Sequence, residues 1–323
     1  MKNPIRTGIV GVGSIGKNHA RIYSELSDAQ FSAIFDTNRA TANEVAEQYR
    51  VRAAGSLEEF TDLVDVATVA TPTSSHYEIG RHLISHGKSV LIEKPITETP
   101  EQAEELVRLA KQQSVVLQVG HVERFNPVLS ALEKRLARPR FIEAHRLSPY
   151  PFRSLEIGVV LDLMIHDLEV ILHLVRSPVR SIDAVGIPVL SQDEDIANAR
   201  IRFANGCVAN VTASRISPEK MRKIRVFQET AYLSLDYQNQ SGEIYRLVDG
   251  KITRDAVEVE KDEPLKRELS SFVECSRHGA QPIVSGSQAA AALELAIQIT
   301  ELVRESFPDL KRSKFRGFGL PGE

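Results

Sequence analysis

The fold class of the chain follows from its residues 5–16, Ile5-Arg6-Thr7-Gly8-Ile9-Val10-Gly11-Val12-Gly13-Ser14-Ile15-Gly16. Its first half is predicted to be a buried strand, and the residues that follow are predicted to form a helix to about Leu26. Between them lies G-x-G-x-x-G, whose glycines permit a tight turn, a close approach to a pyrophosphate and close helix packing, in that order. The helix N-terminus then faces the anion. A dinucleotide site is therefore predicted at Gly11, Gly13, Ser14, Ile15 and Gly16.

A second predicted strand, residues 31–36, ends in Asp36. At this place in a dinucleotide-binding fold, a carboxylate accepts hydrogen bonds from the adenosine ribose hydroxyls and repels a 2′-phosphate. Asp36 therefore favours NAD over NADP. Arg39, which follows closely, leaves NADP open as the cofactor.

Strands and helices continue to alternate through the first third of the chain. Further strands are predicted at 51–54, 64–70, 90–92 and 115–119, with helices between most of them. Ser56 and Thr99 are predicted to cap two helices with capping-box spacing, and Ser74 or Ser75 to cap a third. Six strands that alternate with helices predict an α/β Rossmann fold, with a doubly wound parallel sheet, for a domain of residues 1–122.

The rhythm changes in residues 123–323, which are predicted to form the substrate-binding and oligomerisation domain. Helices are predicted at about 126–136, 160–175, 264–278 and 287–306, and strands at about 141–147, 180–189, 196–203, 207–214, 222–228, 231–237, 242–248 and 251–259. Asn205-Gly206 and Asp249-Gly250 are typical of two-residue hairpin turns. The tail 311–323 is predicted to be a loosely attached strap. This pattern predicts an α+β domain with a large, mainly antiparallel sheet, one face on helices and the other open to a partner subunit.

The tripeptide Glu93-Lys94-Pro95 follows a short apolar strand. Ligands of an open α/β sheet bind outside the carboxyl ends of its strands, so Lys94 is expected at the rim of the cofactor crevice. Thr71 and Pro72 follow the preceding strand in the same way. His76, in the first turn of the next helix, is expected either to face the cofactor or to lie at the surface.

Residues 160–175 are predicted to form a buried helix, because apolar side chains cover most of its circumference. One polar stripe runs along it, formed by Asp162, His166, Glu169 and His173. Asp162, one turn before His166, can fix the orientation and tautomer of the imidazole, as a general base requires. The alternative is a buried Asp–His pair that satisfies only itself, or a stripe that faces water.

Composition and charge argue against several classes of function. A net charge of −3 and the lack of a basic recognition helix give no reason to expect nucleic acid or an anionic membrane as partner. No long apolar run and no signal peptide is seen, so a cytoplasmic protein is expected. The two cysteines, expected to be buried thiols, have neither metal nor disulfide-framework spacing. His82 and His86 lack a third ligand, so no metal site is predicted.

Together these segments resemble the Gfo/Idh/MocA family of NAD(P)-dependent sugar and cyclitol oxidoreductases, over nearly the whole chain. The resemblance is carried by residues 11–16, Asp36, Thr71-Pro72 with His76, Glu93-Lys94-Pro95 and Asp162-Leu163-Met164-Ile165-His166. It implies a Rossmann domain that binds NAD(P), with Thr71, Pro72, His76, Glu93 and Lys94 at the cofactor. It also implies an open-faced second sheet, homodimers or homotetramers formed through that sheet, and convergence of Lys94, Asp162 and His166 on the nicotinamide.

Two runs, Gly120-His121-Val122-Glu123-Arg124-Phe125-Asn126-Pro127 and Gly16-Lys17-Asn18-His19-Ala20-Arg21, are most similar to the branch of UDP-N-acetylglucosamine 3-dehydrogenases, which oxidise the sugar 3-hydroxyl. A UDP-sugar needs partners for two phosphates. Bidentate contacts could come from Arg124, Arg146, Arg153 and Arg215, with a surface ion pair as the alternative for each. Contacts to sugar or nicotinamide could come from Phe125, Asn126 and Tyr150, with core packing as the alternative.

The predicted reaction is hydride transfer between a sugar secondary alcohol and nicotinamide C4. His166 can accept the hydroxyl proton near neutral pH while Asp162 orients it. Lys94 would stabilise the developing negative charge or exchange the proton itself, so the base can be either Lys94 or His166. Two other functions remain open, namely a dehydrogenase of a free sugar or inositol and a non-catalytic NAD-binding sensor.

Overall fold

The computed structural model of the chain describes residues 4–150 and 157–306. These residues form two compact units. Unit 1 comprises the chain up to Arg135 together with Val257–Glu294, and unit 2 comprises Leu136–Ala256 together with the chain from Leu295. The predicted strap at 311–323 lies outside the described residues.

Unit 1 is built on a six-stranded sheet. Its strands are β1 (Ile5–Val10), β2 (Ala29–Phe35), β3 (Arg52–Ala53), β4 (Val66–Val69), β5 (Ser89–Glu93) and β6 (Leu117–Gly120). They are ordered β3-β2-β1-β4-β5-β6, and each neighbouring pair is parallel. This is the doubly wound order, in which strand addition reverses direction between β1 and β4. The predicted α/β Rossmann fold is confirmed.

The helices lie close to their predicted positions. They are α1 (Ser14–Glu25), α2 (Arg39–Tyr49), α3 (Leu57–Leu63), α4 (His76–Ser85), α5 (Pro100–Gln113), α6 (Pro127–Glu133), α7 (Ile165–Val175), α8 (Pro264–His278) and α9 (Gly286–Ser306). Ser56 caps α3, and Thr99 forms a capping box at α5 with Gln102. The predicted serine cap of α4 is wrong. A tight turn over Thr73–Ser75 runs directly into this helix, and the Ser75 hydroxyl bonds to the turn itself.

Helix α8 changes the domain boundary. It packs on α1 and on the turn Val122–Phe125, and its Leu269, Phe272 and Val273 join the core of unit 1. Residues 123–135 and 257–294 therefore belong with the nucleotide-binding unit, and the predicted boundary after residue 122 is not the one observed. Periodicity reveals that α8 has an apolar face, but not which sheet that face covers.

Unit 2 is built on an eight-stranded sheet. Its strands are β7 (Phe141–Leu147), β8 (Val179–Ile187), β9 (Ile196–Phe203), β10 (Val208–Ser214), β11 (Met221–Phe227), β12 (Ala231–Asp236), β13 (Ser241–Val248) and β14 (Lys251–Ala256). Their order is β14-β13-β12-β11-β7-β10-β9-β8. β7 lies between β11 and β10 and is parallel to β10, so the sheet is mainly antiparallel, as predicted, with one parallel pair.

The two predicted hairpin turns differ. Asp249 and Gly250 both have positive φ angles, 51° and 75°, as a two-residue turn requires. At Asn205-Gly206 only the glycine does, and bonds from Phe203 N to Cys207 O and from Gly206 N to Phe203 O define a three-residue loop. The Asn205 side chain accepts from Cys207 N and donates to a helix carbonyl, which holds the longer loop in place.

Candidate active site

The turn after β1 has the backbone that the glycine pattern predicts. Gly11 has a φ of +87°, and a Cβ on Gly16 would overlap the carbonyl oxygen of Gly11, so only glycine lets α1 approach the turn this closely. A Cβ on Gly13 would meet nothing within 4 Å. Gly13, Ser14 and Ile15 are exposed at the N-terminus of α1, where backbone N–H groups and the helix dipole favour an anion.

Asp36 lies beside this turn. One carboxylate oxygen accepts a hydrogen bond from Val12 N and the other from Asn38 N, both at 2.8 Å. Each oxygen keeps a second lone pair that a ribose hydroxyl can use. Arg39 donates to the carbonyl of Ala54. Its guanidinium is thus engaged within unit 1, which supports the expected preference for NAD.

His76 braces two turns at the carboxyl edge of the sheet. Its ring is 1% exposed, with Nδ1 2.8 Å from the carbonyl oxygen of Pro95 and Nε2 2.8 Å from that of Thr71. Burial lowers the pKa of His76, and the bonds to these carbonyls oppose that effect. Both predicted positions for His76, facing a cofactor and lying at the surface, are therefore wrong. Thr71 lies next to Gly11, and Pro72, which follows it, is exposed.

The strand β5 is buried along its whole length and ends in Glu93. Glu93 Oε1 lies 2.9 Å from His19 Nε2 on α1, and Oε2 accepts from Lys94 N at 3.3 Å. Burial raises the pKa of Glu93, but the interactions with His19 and Lys94 together outweigh burial, so the pKa is lowered. The carboxylate that was expected at the cofactor therefore points to α1, and Lys94 is partly exposed.

His121 is a residue of this edge to which the sequence analysis gave no role of its own. It follows β6 at the same edge of the sheet and is buried. Burial, and after it the charge of Lys94, lower the pKa of His121 to about 3. The ring is therefore neutral at physiological pH. Its position directly after a parallel strand was the signal that could have found it.

Unit 2 carries Asp162 and His166. Both are partly exposed. Asp162 lies in a π-helical turn, Val160–Met164, that leads directly into α7, where a continuous α-helix was predicted. π-Helical turns are rare in proteins, and those that do occur are often found at functional sites.

Glu194, which the sequence analysis also missed, holds the start of the π-helical turn that leads into α7. Its carboxylate accepts a hydrogen bond from Val160 N at 3.2 Å. A Cβ on Gly158 would overlap that carboxylate, so glycine makes room for it. Burial raises the pKa of Glu194. The position of the Asp162 turn thus depends on an acid from the loop between β8 and β9, which sequence spacing cannot reveal.

Two arginines that were expected to meet substrate phosphates lie in buried ion pairs. Arg146 donates through Nε and Nη2 to the two carboxylate oxygens of Asp167, at 2.8 and 3.1 Å. Arg215 Nε donates to Asp195 at 2.9 Å. All four side chains are at most 3% exposed. The phosphate prediction is wrong for Arg146 and Arg215.

The other proposed substrate residues lie in different surroundings. Asn126 is the N-cap of α6 and accepts from Val128 N at 3.2 Å, and Phe125 is buried, so both fit the packing alternative. Arg124 is largely buried. Tyr150 is partly exposed, and Arg153 lies outside the described residues.

Comparison with known proteins identifies the family. Residues 5–121 match the family model described as an oxidoreductase family with an NAD-binding Rossmann fold, and residues 132–234 match that of the Gfo/Idh/MocA C-terminal domain. The chain belongs to the Gfo/Idh/MocA family. It is an NAD(P)-dependent oxidoreductase that acts on a CH–OH group.

Several members of the Gfo/Idh/MocA family are similar over nearly the full chain. UDP-N-acetylglucosamine 3-dehydrogenase from Acidithiobacillus ferrooxidans is 35% identical over 91% of this chain and 96% of its own. Its structure matches with a TM-score of 0.90 at 34% identity, over 94% of this chain and 99% of that one. scyllo-Inositol 2-dehydrogenase (NAD⁺) from Bacillus subtilis is 26% identical over 97% of this chain and 99% of its own.

Neither a metal centre nor a membrane-spanning helix is found among the described residues. Within residues 4–150 and 157–306, no group of three or more His, Cys, Asp or Glu side chains could hold a metal ion, and no helix is long and apolar enough to cross a bilayer. His82 Nε2 lies 3.1 Å from the Thr61 hydroxyl. Cys207 is buried, which raises its pKa to about 11, whereas Cys275 is partly exposed.

Gly13 and Gly16, at the turn after β1, allow a matched pair of variants. Gly13→Ala is expected to weaken NADH binding without changing the melting temperature, because the added methyl group enters open space at the N-terminus of α1. Gly16→Ala is expected to weaken binding and also to cost about 1–3 kcal/mol of stability, because its methyl group overlaps the turn. Fluorescence titration with NADH and thermal denaturation measure both effects. Equal melting temperatures of the two variants would contradict this reading of the turn.

Glu268 on α8 is a buried acid that the sequence analysis missed. Its carboxyl is 0% exposed, and neither oxygen has a hydrogen-bond partner among the residues that the structure describes. Burial raises the pKa of Glu268 well above its usual value, and the negative charge of Glu93 raises it further. The folded protein therefore holds a proton here that the unfolded chain releases above about pH 4.3.

This raised pKa predicts a pH-dependent stability. The contribution of Glu268 is fully present below the pKa of the unfolded chain and is lost as the pH rises towards the folded pKa, by up to about 1.4 kcal/mol per pH unit. Glu268→Gln removes the titration, so its free energy of unfolding is expected to fall less steeply above about pH 5. Urea denaturation across that range measures the slope, with the exposed Glu274→Gln on the same helix as control. Identical slopes in wild type and Glu268→Gln would disprove the raised pKa.

Proposed function

We propose that this protein oxidises the 3-hydroxyl of UDP-N-acetylglucosamine or a closely related UDP-hexosamine, with NAD as the cofactor. One observation carries the proposal. The similarity to a UDP-N-acetylglucosamine 3-dehydrogenase extends over 91% of this chain and 96% of the relative, so both units have counterparts in that enzyme. The TM-score of 0.90 supports the same correspondence at the level of the fold.

The residues of unit 1 fit the cofactor. The left-handed Gly11, the open space at Gly13 and the exposed N-terminus of α1 suit a pyrophosphate. Asp36 suits the ribose hydroxyls. The residues that would hold NAD are Gly11, Gly13, Ser14, Ile15, Gly16, Asp36, Thr71 and Pro72. When bound, NAD supplies the acceptor for the hydride that leaves the sugar carbon.

Lys94, His166 and Asp162 carry the acid–base chemistry in this proposal. Lys94 follows a buried strand at the carboxyl edge of the sheet and is partly exposed, so its ammonium can donate a hydrogen bond to the substrate oxygen as negative charge develops there. The hydroxyl proton passes to His166 or to Lys94. Asp162, one turn before His166, orients the imidazole if His166 is the base.

A panel of substrates tests the proposal. The purified protein with NAD is expected to form NADH with UDP-N-acetylglucosamine, and not with free N-acetylglucosamine, myo-inositol or scyllo-inositol. An aminotransferase that consumes 3-keto sugars can be coupled to draw an unfavourable oxidation forward. Product analysis by NMR identifies the oxidised carbon. Absence of turnover with every UDP-hexosamine would overturn the substrate but not the family.

A second candidate is a dehydrogenase of a free sugar or inositol. One specific observation favours it. Arg146 and Arg215 form ion pairs with buried aspartates, so they are not available to bind the phosphates of a UDP-sugar. Competition with UDP separates the two candidates. UDP is expected to inhibit competitively against the sugar if the substrate is a UDP-sugar, and to have no effect if it is a free sugar. A protein that binds NADH tightly and oxidises nothing would favour the sensor.

The open face of the eight-stranded sheet is proposed as the contact between copies of this chain. Phe141, Phe227, Tyr232 and Tyr245 form a continuous row across four strands, with ring centroids 4.7–5.6 Å apart. All four side chains are partly exposed, and a contiguous aromatic surface of this kind is typical of a contact with another protein. Light scattering is expected to give a dimer or tetramer, and Tyr232→Glu a smaller species. A monomeric wild type at micromolar concentration would reject this interface.

A cytoplasmic location is also proposed. Cys207 and Cys275 are free thiols, which is usual in a reducing compartment.

A further inference from the structure

A column of buried polar side chains runs between the parallel sheet of unit 1 and helices α1 and α8. Thr68, Leu91 and Gln118 are neighbours across β4, β5 and β6 and so share one face of the sheet. The hydroxyl of Tyr23, on α1, bonds to that of Thr68 at 2.7 Å. Gln118 Nε2 donates to the backbone carbonyl of Glu268, on α8. The two helices therefore cover this face together.

The column ends at the pair His19–Glu93. Glu93 lies two residues beyond Leu91 on the same strand and therefore points to the same face. His19 lies one helical turn before Tyr23 on α1 and faces the sheet in the same way. Its ring is 0% exposed, and its Nε2 lies 2.9 Å from Glu93 Oε1. Lys94 is the next residue after Glu93, so the buried polar side chains extend as far as this lysine.

The carboxylate of Glu93 is confined on its other side by Gly120. The two residues are paired across β5 and β6. A Cβ on Gly120 would lie 2.9 Å from the carboxyl carbon and from both oxygens of Glu93. The carboxylate therefore occupies a space that only glycine leaves, between a bare backbone and the imidazole of His19. Its position depends on these two neighbours.

The imidazole of His19 has no other polar contact in the described part of the chain. Its Nδ1 is buried without a hydrogen-bond partner there. A buried polar atom without a partner costs stability, so a ring kept in this state needs another reason for its presence. The other groups whose charge interacts with Glu93 are Lys94, His76, His121 and Glu268.

We propose that His19 is a positioning residue of the active site, which holds the Glu93 carboxylate, and thereby one negative charge, in a fixed place beside Lys94. This role deepens the proposed function, because it rests on Lys94 as a group that acts on the substrate. Without His19 the buried carboxylate loses its hydrogen bond, and it takes up a proton or turns away. The surroundings of Lys94 then become less negative, and a larger fraction of this lysine is the reactive free amine.

Chemical labelling of Lys94 tests the proposal without any substrate. The holoprotein is treated with acetic anhydride at fixed pH, and acetylation of Lys94 is measured by mass spectrometry relative to the exposed Lys111. His19→Leu is expected to raise this ratio by about tenfold, as expected for the loss of one nearby charge. His19→Gln, whose amide can replace the donor at Nε2, is expected to stay close to wild type. His86→Leu, at the exposed histidine that follows α4, is the matched control.

A double-mutant cycle distinguishes an indirect role from a direct one. Glu93→Gln is expected to raise the ratio as His19→Leu does, and the double variant no further, because His19 acts only through Glu93. Additive effects would overturn the proposal, as would an unchanged ratio in folded His19→Leu. If His19 only stabilised the fold, His19→Leu would change the labelling of Lys111 as well as that of Lys94. If His19→Leu does not fold, His19→Asn, whose amide is too short to reach Glu93, replaces it with the same expected rise.

Kinetics separate this role from the proposed function. His19→Leu is expected to lower kcat and shift its pH profile while the dissociation constant of NADH stays the same. If Lys94→Ala retains full turnover, Lys94 has no part in the proposed reaction, whereas the labelling result for His19 stands. If Lys94→Ala is inactive and the labelling ratio does not respond to His19, the proposed function stands and the positioning role fails.

Discussion

Replacing Lys94 with alanine is expected to lower kcat by about 10²- to 10⁴-fold, the usual range for loss of one general acid–base group. The physical reason is that no other ammonium would be left at the end of β5 to hydrogen-bond the substrate oxygen as its charge develops. The dissociation constant of NADH is expected to change little, since the turn after β1 is untouched. Steady-state turnover at saturating sugar and fluorescence titration with NADH measure the two quantities.

Lys111→Ala, at an exposed lysine on α5 in the same unit, controls for the general loss of a positive charge and is expected to retain wild-type turnover. Lys94→Arg adds a second comparison. It keeps the charge but replaces a compact ammonium by a wide planar group, so it is expected to restore little activity. Unchanged turnover in Lys94→Ala at saturating substrate would remove Lys94 from the mechanism.

Replacing Asp167 with asparagine is expected to destabilise the protein by about 3–5 kcal/mol, because it leaves the buried charge of Arg146 without its carboxylate. The two side chains are 3% and 2% exposed and are joined by two hydrogen bonds. Water cannot replace the lost partner at such a buried position. The free energy of unfolding from urea denaturation measures the effect.

Glu143→Gln is the matched control, since Glu143 lies on the same strand as Arg146 and pairs with Arg225 near the surface. Its loss is expected to cost about 0–1 kcal/mol. The double variant Arg146→Met with Asp167→Leu is expected to recover much of the stability, because it removes both charges together. If Asp167→Asn is no more destabilising than Glu143→Gln, the buried pair does not contribute as its geometry implies.

The nucleotide-binding half of the fold could be predicted because its signals are local. A strand, a glycine turn and a helix within residues 5–25 report a βα unit, and five further strands of suitable period follow. The acid that ends the second strand was found by the same rule. The hairpin at Asp249-Gly250 was equally predictable, because its backbone angles are set by those two residues.

The partners of the charged side chains could not be predicted in this way. Arg146 and Arg215 have the appearance of phosphate ligands in the sequence, yet each meets an aspartate some 20 residues along the chain, at 21 and 20 positions. Periodicity gives the face on which a side chain lies, but not what lies opposite. Asp167 was overlooked for the same reason, because it lies on α7 outside the polar stripe.

The Rossmann fold, the cofactor class and the family can all be predicted from the amino-acid sequence, because glycine conformation and strand–helix alternation act over a few residues. Three features become visible only in the folded chain: α8 covers the first sheet, Glu194 holds the turn of Asp162, and His76 joins two turns. The same is true of Glu93, which turns inward to His19, 74 positions away. Such pairs depend on the path of the whole chain and on the space that residues such as Gly120 leave.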